Sequence, residues 1–175
     1  MVAARPADAV AVLGAPGPME AALAAEIGLE TGLNGRTVVV DVGSEARDRV
    51  QAAAEKAGAL VEFEWAPVTM LPIDAGTFDI VVINRQLASL DGRNRVACCE
   101  EALRVIKKTG RVIVIEGGKR PGIFGLFPTR LPGLPPEDVK DALARAGAKA
   151  VRQLAEVDGV FYFEAARARD GAAEA

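Results

Sequence analysis

Two short stretches of the sequence carry residues suited to binding a small ligand. Gly14 and Gly17 lie in a turn that follows the apolar run 9–13, and glycine allows a backbone to approach a ligand closely. Asp41 ends another apolar run, at the carboxyl end of a predicted strand, where open α/β sheets bind their ligands. A carboxylate there can accept hydrogen bonds from ribose hydroxyls. Two alternatives remain open: the turn binds no ligand, and Asp41 caps a helix or lies in solvent.

The residue types present restrict the chemistry that such a site can perform. The sequence contains no histidine, which removes the commonest general base and the commonest metal ligand. Its two cysteines, Cys98 and Cys99, are adjacent on a predicted helix, so we expect free thiols, Cys99 in the core, and no metal site. Acid–base chemistry would therefore fall to carboxylates, lysines, Tyr162 or the thiols.

Residues 71–118 predict one βαβ crossover. The runs 78–83 and 111–116 lack polar alternation, which is typical of strands covered on both faces. The segment between them predicts a helix that ends at Gly110, behind two lysines. Its apolar residues recur at spacings of three, four and three, which places them on one face. This apolar stripe consists of Val96, Cys99, Leu103 and Ile106.

The whole chain predicts an α/β fold. We expect a Rossmann-like, seven-stranded, mostly parallel sheet with helices on both faces. Asp158 and Gly159 separate the last two runs and are a strong signal for a β-hairpin, so the sheet should end in an antiparallel pair. Residues 1–165 should form a single domain, and 166–175 a flexible tail. The predicted strands are 9–13, 37–41, 61–64, 78–83, 111–116, 151–157 and 160–165.

The central stretch resembles the second half of class I S-adenosylmethionine-dependent methyltransferases, of the type 11-like kind. In that family, a Leu-Pro segment leads to Phe-Asp and a buried strand. A helix ending Glu-Ala-Leu-Arg-Val follows, then Lys, Gly and a strand ending in Glu. The resemblance implies S-adenosylmethionine as cofactor. The matching residues are Leu71, Pro72, Phe78, Asp79, Glu101, Ala102, Leu103, Arg104, Val105, Lys107, Gly110 and Glu116.

The resemblance also implies where the parts of the cofactor would lie. The methionine would border the glycine turn, the ribose would meet the aspartate, and polar residues after the fourth strand would face the methyl donor. No catalytic residue is implied, because transfer from an activated sulfonium depends mainly on positioning and desolvation. The implied residues are Gly14 and Gly17 for the methionine, Asp41 for the ribose, Val68 and Met70 for the adenine, and Asn84 and Arg85 for the methyl donor.

Several residues depart from the family pattern and support a second hypothesis. Pro16 and Pro18 stand where the family has glycines, Val12 replaces an acidic residue, and Pro67 occupies the place of an aspartate near the adenine. The first hypothesis is a methyltransferase that acts on a small-molecule or apolar acceptor. The second is a catalytically inactive, methyltransferase-like binding or scaffold protein. Binding of a nicotinamide dinucleotide is less favoured, because the turn does not fit Gly-x-Gly-x-x-Gly.

Residues 121–134 are unusually apolar for a segment rich in proline and glycine. The segment could line a site for an apolar substrate, bind a protein partner, form a homodimer contact or touch a membrane surface. Folding onto its own core is the remaining alternative.

The overall charge and hydropathy limit the other partners that we expect. The net charge is −3 and the basic residues form no stripe, so the sequence does not indicate a nucleic-acid partner. No apolar run approaches the roughly 20 residues of a membrane span. The first residues lack the pattern of a signal peptide, and we expect a cytoplasmic protein.

Overall fold

Nine strands and four α-helices are found in the part of the chain that the structure, a computed structural model, describes: residues 2–117, 119–120, 129–130 and 133–167. The strands are β1 (Ala9–Leu13), β2 (Arg36–Asp41), β3 (Glu62–Trp65), β4 (Phe78–Asn84), β5 (Ile106–Gly117), β6 (Lys119–Arg120), β7 (Thr129–Arg130), β8 (Lys149–Val157) and β9 (Val160–Ala166). The helices are α1 (Pro18–Thr31), α2 (Ser44–Ala57), α3 (Gly92–Val105) and α4 (Pro136–Arg145).

Seven of the strands form one sheet in the order β3-β2-β1-β4-β5-β9-β8, and β6 pairs with β7 alone. The first five strands in this order, from β3 to β5, are parallel to one another, whereas β9 runs antiparallel to both β5 and β8. This confirms the predicted fold class, including the closing antiparallel hairpin. Because β2, β1 and β4 are adjacent and parallel, their carboxyl ends lie together at one edge of the sheet.

Alternate residues of the central strands point into two separate apolar cores. In β1, Val10 and Val12 pack against α1 and α2, whereas Ala11 and Leu13 pack against α3 and α4. Coverage on both faces explains why these strands are continuous apolar runs in the sequence. Pro18 opens α1, as its fixed φ favours. Gly58 ends α2 in the left-handed region with a φ of 72°.

The helix predicted to end at Gly110 ends earlier, at Val105, so that part of the prediction is wrong. The carbonyl oxygens of Arg104 and Val105 accept hydrogen bonds from the N–H groups that precede β4, and the next residue already pairs with Phe78 in the sheet. Lys107 and Lys108 therefore lie in β5 and not at a helix end. A side chain at Gly110 would come within 2.8 Å of the Asp79 carbonyl oxygen. The glycine is needed for close approach to β4 and not for a helix cap.

Parts of two predicted segments lie outside the described residues. These are 121–128 and 131–132 of the apolar segment and 168–175 of the predicted tail. The start of that tail, Ala166, is the last residue of β9. Within the ranges that the structure does describe, none of the helices is both long and apolar enough to cross a membrane.

Candidate functional site

Asp41 holds the glycine turn against the end of β2. The Gly14 N–H donates to the Val40 carbonyl oxygen at 3.0 Å, and the Ala15 N–H donates to Asp41 Oδ2 at 2.7 Å. The other carboxylate oxygen, Oδ1, accepts from the N–H of Gly43 at 2.7 Å. Since Gly43 immediately precedes α2, Asp41 also orders the start of that helix. The structure therefore brings Gly14 and Asp41 together, and each carboxylate oxygen keeps acceptor capacity for a ligand.

Glu20 covers the second glycine of the turn. Gly17 precedes α1 directly and its backbone is extended, with a φ of −148°. Glu20 lies in the first turn of α1, where a negative charge suits the helix dipole, yet the residue is only 8% exposed. Its carboxylate turns back so that a Cβ atom on Gly17 would lie 2.7 Å from Oε2.

Arg85 pairs with Glu20 at the end of β4. The Nε atom of Arg85 lies 3.3 Å from Glu20 Oε1, and both side chains are largely buried. Arg85 has a φ of +52°, which is strained for a residue with a long side chain. Its N–H donates to the Ile115 carbonyl oxygen at 2.8 Å. Asn84 is buried beside this pair, with Nδ2 3.5 Å from the Glu20 carbonyl oxygen.

Gln86 covers the first glycine of the turn. Gly14 has a φ of +91°, and a Cβ atom on it would lie 2.5 Å from Gln86 Oε1 and 3.1 Å from the Asn84 carbonyl oxygen. A side-chain oxygen atom thus lies over each glycine, and over Gly14 the backbone carbonyl oxygen of Asn84 lies close as well. Neither Glu20 nor Gln86 was predicted from the sequence. An acidic residue in the first turn of a helix is a common capping feature, and Gln86 carries no sequence signal.

The residues suggested for an adenine differ in their exposure. Val68 is buried in the core formed with α3 and α4. Met70, by contrast, is 70% exposed. Val42, the residue after Asp41, is also exposed. So is Trp65, which pairs with Asp41 in the sheet. Trp65 contacts the Phe63 ring, with centroids 6.3 Å apart. The ends of β2 and β3 therefore present apolar side chains to solvent.

Glu116 lies near the end of β5 and binds the segment that follows β4. It is buried, and its Oε1 atom accepts hydrogen bonds from the N–H groups of Leu87 and Ala88, at 2.7 and 3.3 Å. Burial raises the pKa of Glu116, and these N–H donors oppose that shift. The sequence showed only that a strand ends in Glu116, so its partners were not predicted.

Glu101 and Arg104 attach the segment before β4 to α3. Arg104 donates to the carbonyl oxygens of Ile73 and Leu71, at 2.7 and 3.0 Å, and to both carboxylate oxygens of Glu101. Glu101 Oε2 accepts from the Leu71 N–H at 2.6 Å. Two side chains of one helical turn thus bind three backbone groups of the segment before β4, which we call the linker.

Asp79 and Lys107 connect three strands at the opposite edge of the sheet. Lys107 Nζ donates to both carboxylate oxygens of Asp79, at 2.8 and 2.9 Å, and the Ala9 N–H donates to Oδ2 at 3.0 Å. Burial acts to raise the pKa of Asp79, but the hydrogen bonds from Lys107 and Ala9 hold it below its ordinary value. The carboxylate therefore joins the starts of β1, β4 and β5.

The two thiols are buried and unreactive by their environment. Cys98 and Cys99 are free, as predicted, and Cys99 lies in the core. Burial raises the pKa of Cys98 well above its ordinary value and that of Cys99 to about 12. In the described part of the chain, no three His, Cys, Asp or Glu residues come together in a way that could hold a metal ion.

An open cavity of about 230 Å³ adjoins the Glu20–Arg85 pair. It lies between α1 and the ends of β4 and β5. Most of the residues that line the cavity are apolar, and the others are polar or charged. The apolar residues are Val2, Met19, Leu23, Ile115 and Tyr162, and the polar residues are Glu20, Asn84 and Arg85.

Comparison with known families gives one match, and comparison with curated proteins gives none. The model of a family described as a methyltransferase domain matches residues 15–114, which is more than half of the chain. No curated protein matches the chain. The matched range begins within the turn after β1, at Ala15, and includes Asp41 and the Glu101–Arg104 pair.

Solved structures share the fold at low sequence identity. An S-adenosylmethionine-dependent methyltransferase from Aquifex aeolicus is 22% identical and has a TM-score of 0.70, covering 92% of this chain and 82% of its own. One from Methanosarcina mazei is 19% identical, with a TM-score of 0.63 and 93% of both chains covered. A chain from a structure described as a complex between the Haloferax volcanii Trm112 methyltransferase activator and "the putative methyltransferase" is 13% identical, with a TM-score of 0.66, covering 94% of this chain and 84% of that chain.

Proposed function

The chain belongs to the methyltransferase domain family, and we propose that it transfers a methyl group from S-adenosylmethionine to a small-molecule or apolar acceptor. Family and fold support S-adenosylmethionine as the cofactor. When bound, this cofactor supplies a sulfonium-activated methyl group. The chain's own residues then have to position the donor and the acceptor and to exclude water.

The observation that carries this proposal is the position of Asp41. Its carboxylate lies at the carboxyl end of β2 and binds the backbone of the turn that follows β1. Ligands of open α/β sheets bind at such an edge. In this proposal, Asp41 accepts hydrogen bonds from the ribose with its remaining lone pairs, and the exposed side chains of Val42 and Met70 contact the adenine.

The residues around the turn fit this cofactor unequally. The edge beside Asp41 carries exposed apolar side chains and an available carboxylate. The methionine would lie against Gly14 and Gly17, where oxygen atoms of Gln86 and Glu20 now stand. Both atoms end flexible side chains, so rotations of these two residues would widen the space over the turn, whereas the Asn84 carbonyl oxygen beside Gly14 belongs to the backbone and stays. In this proposal Asn84 and Arg85, at the end of β4, would face the methyl donor.

The acceptor side of the proposal is supported by the cavity beside Arg85. Its largely apolar walls suit a small or apolar molecule. Residues 121–134 are a second candidate, as an acceptor site, a protein-binding surface or a homodimer contact. A cytoplasmic location and a single domain over residues 1–165 belong to the same proposal.

A specific observation favours a second candidate function, a non-catalytic binding or scaffold protein. Glu20, Arg85 and Gln86 fill the space over the glycine turn with an ion pair and an amide. If this arrangement persisted with ligand present, the methionine would have no place, and only partner binding would remain.

Calorimetric titration with S-adenosylmethionine and S-adenosylhomocysteine tests the proposal, with a reduced nicotinamide dinucleotide as the control. We expect dissociation constants in the micromolar range for the first two ligands and no heat from the third. A screen of acceptors would then follow the transfer of the methyl group. Absence of binding at millimolar ligand would favour the scaffold function, and methyl transfer to any acceptor would exclude it.

A further inference from the structure

Glu20 is the charged residue of the candidate site whose role the proposed cofactor leaves unexplained. It is nearly buried, it lies over Gly17, and it is paired with Arg85. A thioether of adenosine that lacks the amino acid group would not need the space that Glu20 occupies. A ligand with an amino acid carboxylate would need it, because in the proposed function that group would lie over the glycine turn.

We propose that Glu20 determines ligand specificity by competing with the carboxylate of the cofactor for Arg85. This inference rests on the proposed function. Glu20 and the ligand carboxylate carry the same charge and would approach the same guanidinium, so both cannot occupy it with full hydrogen bonding. Adenosine thioethers without a carboxylate bind while the Glu20–Arg85 pair stays intact.

The position of Arg85 supports this competition. Its positive φ and the hydrogen bond from its N–H to the Ile115 carbonyl oxygen fix the Arg85 backbone at the end of β4. The Asn84 Nδ2 atom lies 3.5 Å from the Glu20 carbonyl oxygen. The pair lies in a poorly solvated place, where removal of one charge changes the interactions of the other strongly.

The test compares two ligands on three proteins by calorimetry. S-adenosylhomocysteine carries the amino acid group, and 5′-methylthioadenosine has the same nucleoside and sulfur without it. The proteins are the unchanged chain, Glu20→Gln, and the control Glu26→Gln. Glu26 is the same residue type on the same helix and is exposed. Thermal melting of each variant verifies that it is folded.

Glu20→Gln should bind S-adenosylhomocysteine about tenfold more tightly, because Arg85 no longer has a competing carboxylate. Its affinity for 5′-methylthioadenosine should stay within about twofold of the unchanged chain, and Glu26→Gln should alter neither affinity. The unchanged chain should bind 5′-methylthioadenosine at least as tightly as S-adenosylhomocysteine. This last comparison needs no variant, so it holds even if Glu20→Gln does not fold.

Tighter binding of S-adenosylhomocysteine than of 5′-methylthioadenosine by the unchanged chain would overturn the inference while leaving the proposed function intact. Two results with the variant would do the same. One is unchanged S-adenosylhomocysteine affinity in folded Glu20→Gln. The other is weaker affinity, which would make Glu20 a ligand for the ammonium group. If neither nucleoside bound any of the three proteins, the proposed function would fail, and the inference with it.

Discussion

Polar side chains serve different purposes in two regions of the molecule. In the clamp region, residues 71–116, Arg104, Glu101 and Glu116 bind backbone groups inside the fold. In the turn region, residues 14–43, Asp41 also binds the backbone, but it does so at the edge of the sheet where a ligand would lie.

The family resemblance in the sequence comes mainly from the clamp region. The Glu-Ala-Leu-Arg run reads as a motif because Glu101 and Arg104 must meet the backbone of the linker before β4. Such residues report on the fold and not directly on the reaction. The turn region, where the cofactor would bind, departs most from the family pattern. The family resemblance in the sequence and the proposed binding of the cofactor therefore rest largely on different residues, which can be tested separately.

Replacing Arg104 with alanine should have the largest effect on stability. The change leaves the carboxylate of Glu101 and the carbonyl oxygens of Leu71 and Ile73 without their donor. We expect the free energy of unfolding to fall by about 2–4 kcal/mol, measured by urea denaturation. The affinity of the folded variant for S-adenosylhomocysteine should remain within about twofold, because Arg104 binds only groups of the clamp region.

Arg145→Ala is the matched control for this loss. Arg145 also pairs with a carboxylate of its own helix, but its side chain is 61% exposed. We expect the control to cost less than about 0.5 kcal/mol. Equal losses in the two variants would show that the linker contacts of Arg104 do not stabilise the fold.

Replacing Asp41 with alanine should affect both stability and binding, unlike the replacement of Arg104. Loss of charge-assisted hydrogen bonds to a ribose should weaken the binding of S-adenosylhomocysteine by about 1–3 kcal/mol. The N–H groups of Ala15 and Gly43 also lose their acceptor, which should cost about 1 kcal/mol of stability. Calorimetry and urea denaturation measure the two effects separately.

The control for this change is Asp48→Ala, which removes an exposed aspartate from α2. It should leave both quantities nearly unchanged. An unaltered dissociation constant in Asp41→Ala would remove Asp41 from the ligand site and leave it a purely structural role.

Periodic patterns explain why the fold could be predicted from the sequence. The parts of a strand that are covered on both faces must be apolar, so β1, β2, β4 and β5 each contain an unbroken apolar run. The end of α3 was placed wrongly because Gly110 has the same appearance in a sequence whether it ends a helix or allows two strands to approach. Only the position of Asp79 in the folded chain decides between the two roles.

The candidate site could be predicted only where a residue is fixed by its place in an element. Asp41 and Gly14 follow strands and were found in this way. Glu20 and Gln86 meet the turn through side-chain directions that have no period in the sequence. Val68 was grouped with Met70 because the two are close in sequence, yet one is buried and the other exposed.

The pH dependence of stability gives the smallest predicted effect and distinguishes a paired carboxylate from an ordinary one. Hydrogen bonds from Arg104 lower the pKa of Glu101. The stability from this pair is therefore fully present above the unfolded-state pKa of about 4.3 and is lost as the pH falls through the lower pKa of the folded state. Glu101→Gln should be less stable by about 1 kcal/mol near neutral pH.

This difference should shrink as the solution is acidified below about pH 4, because the unchanged chain then loses the charge that the variant already lacks. Urea denaturation at several pH values measures it, with Glu100→Gln as the control, since Glu100 is an exposed neighbour on the same helix. If the difference stayed constant with pH, the ionised form of Glu101 would not be what stabilises the clamp region. Its hydrogen-bond geometry alone would then hold the linker to α3.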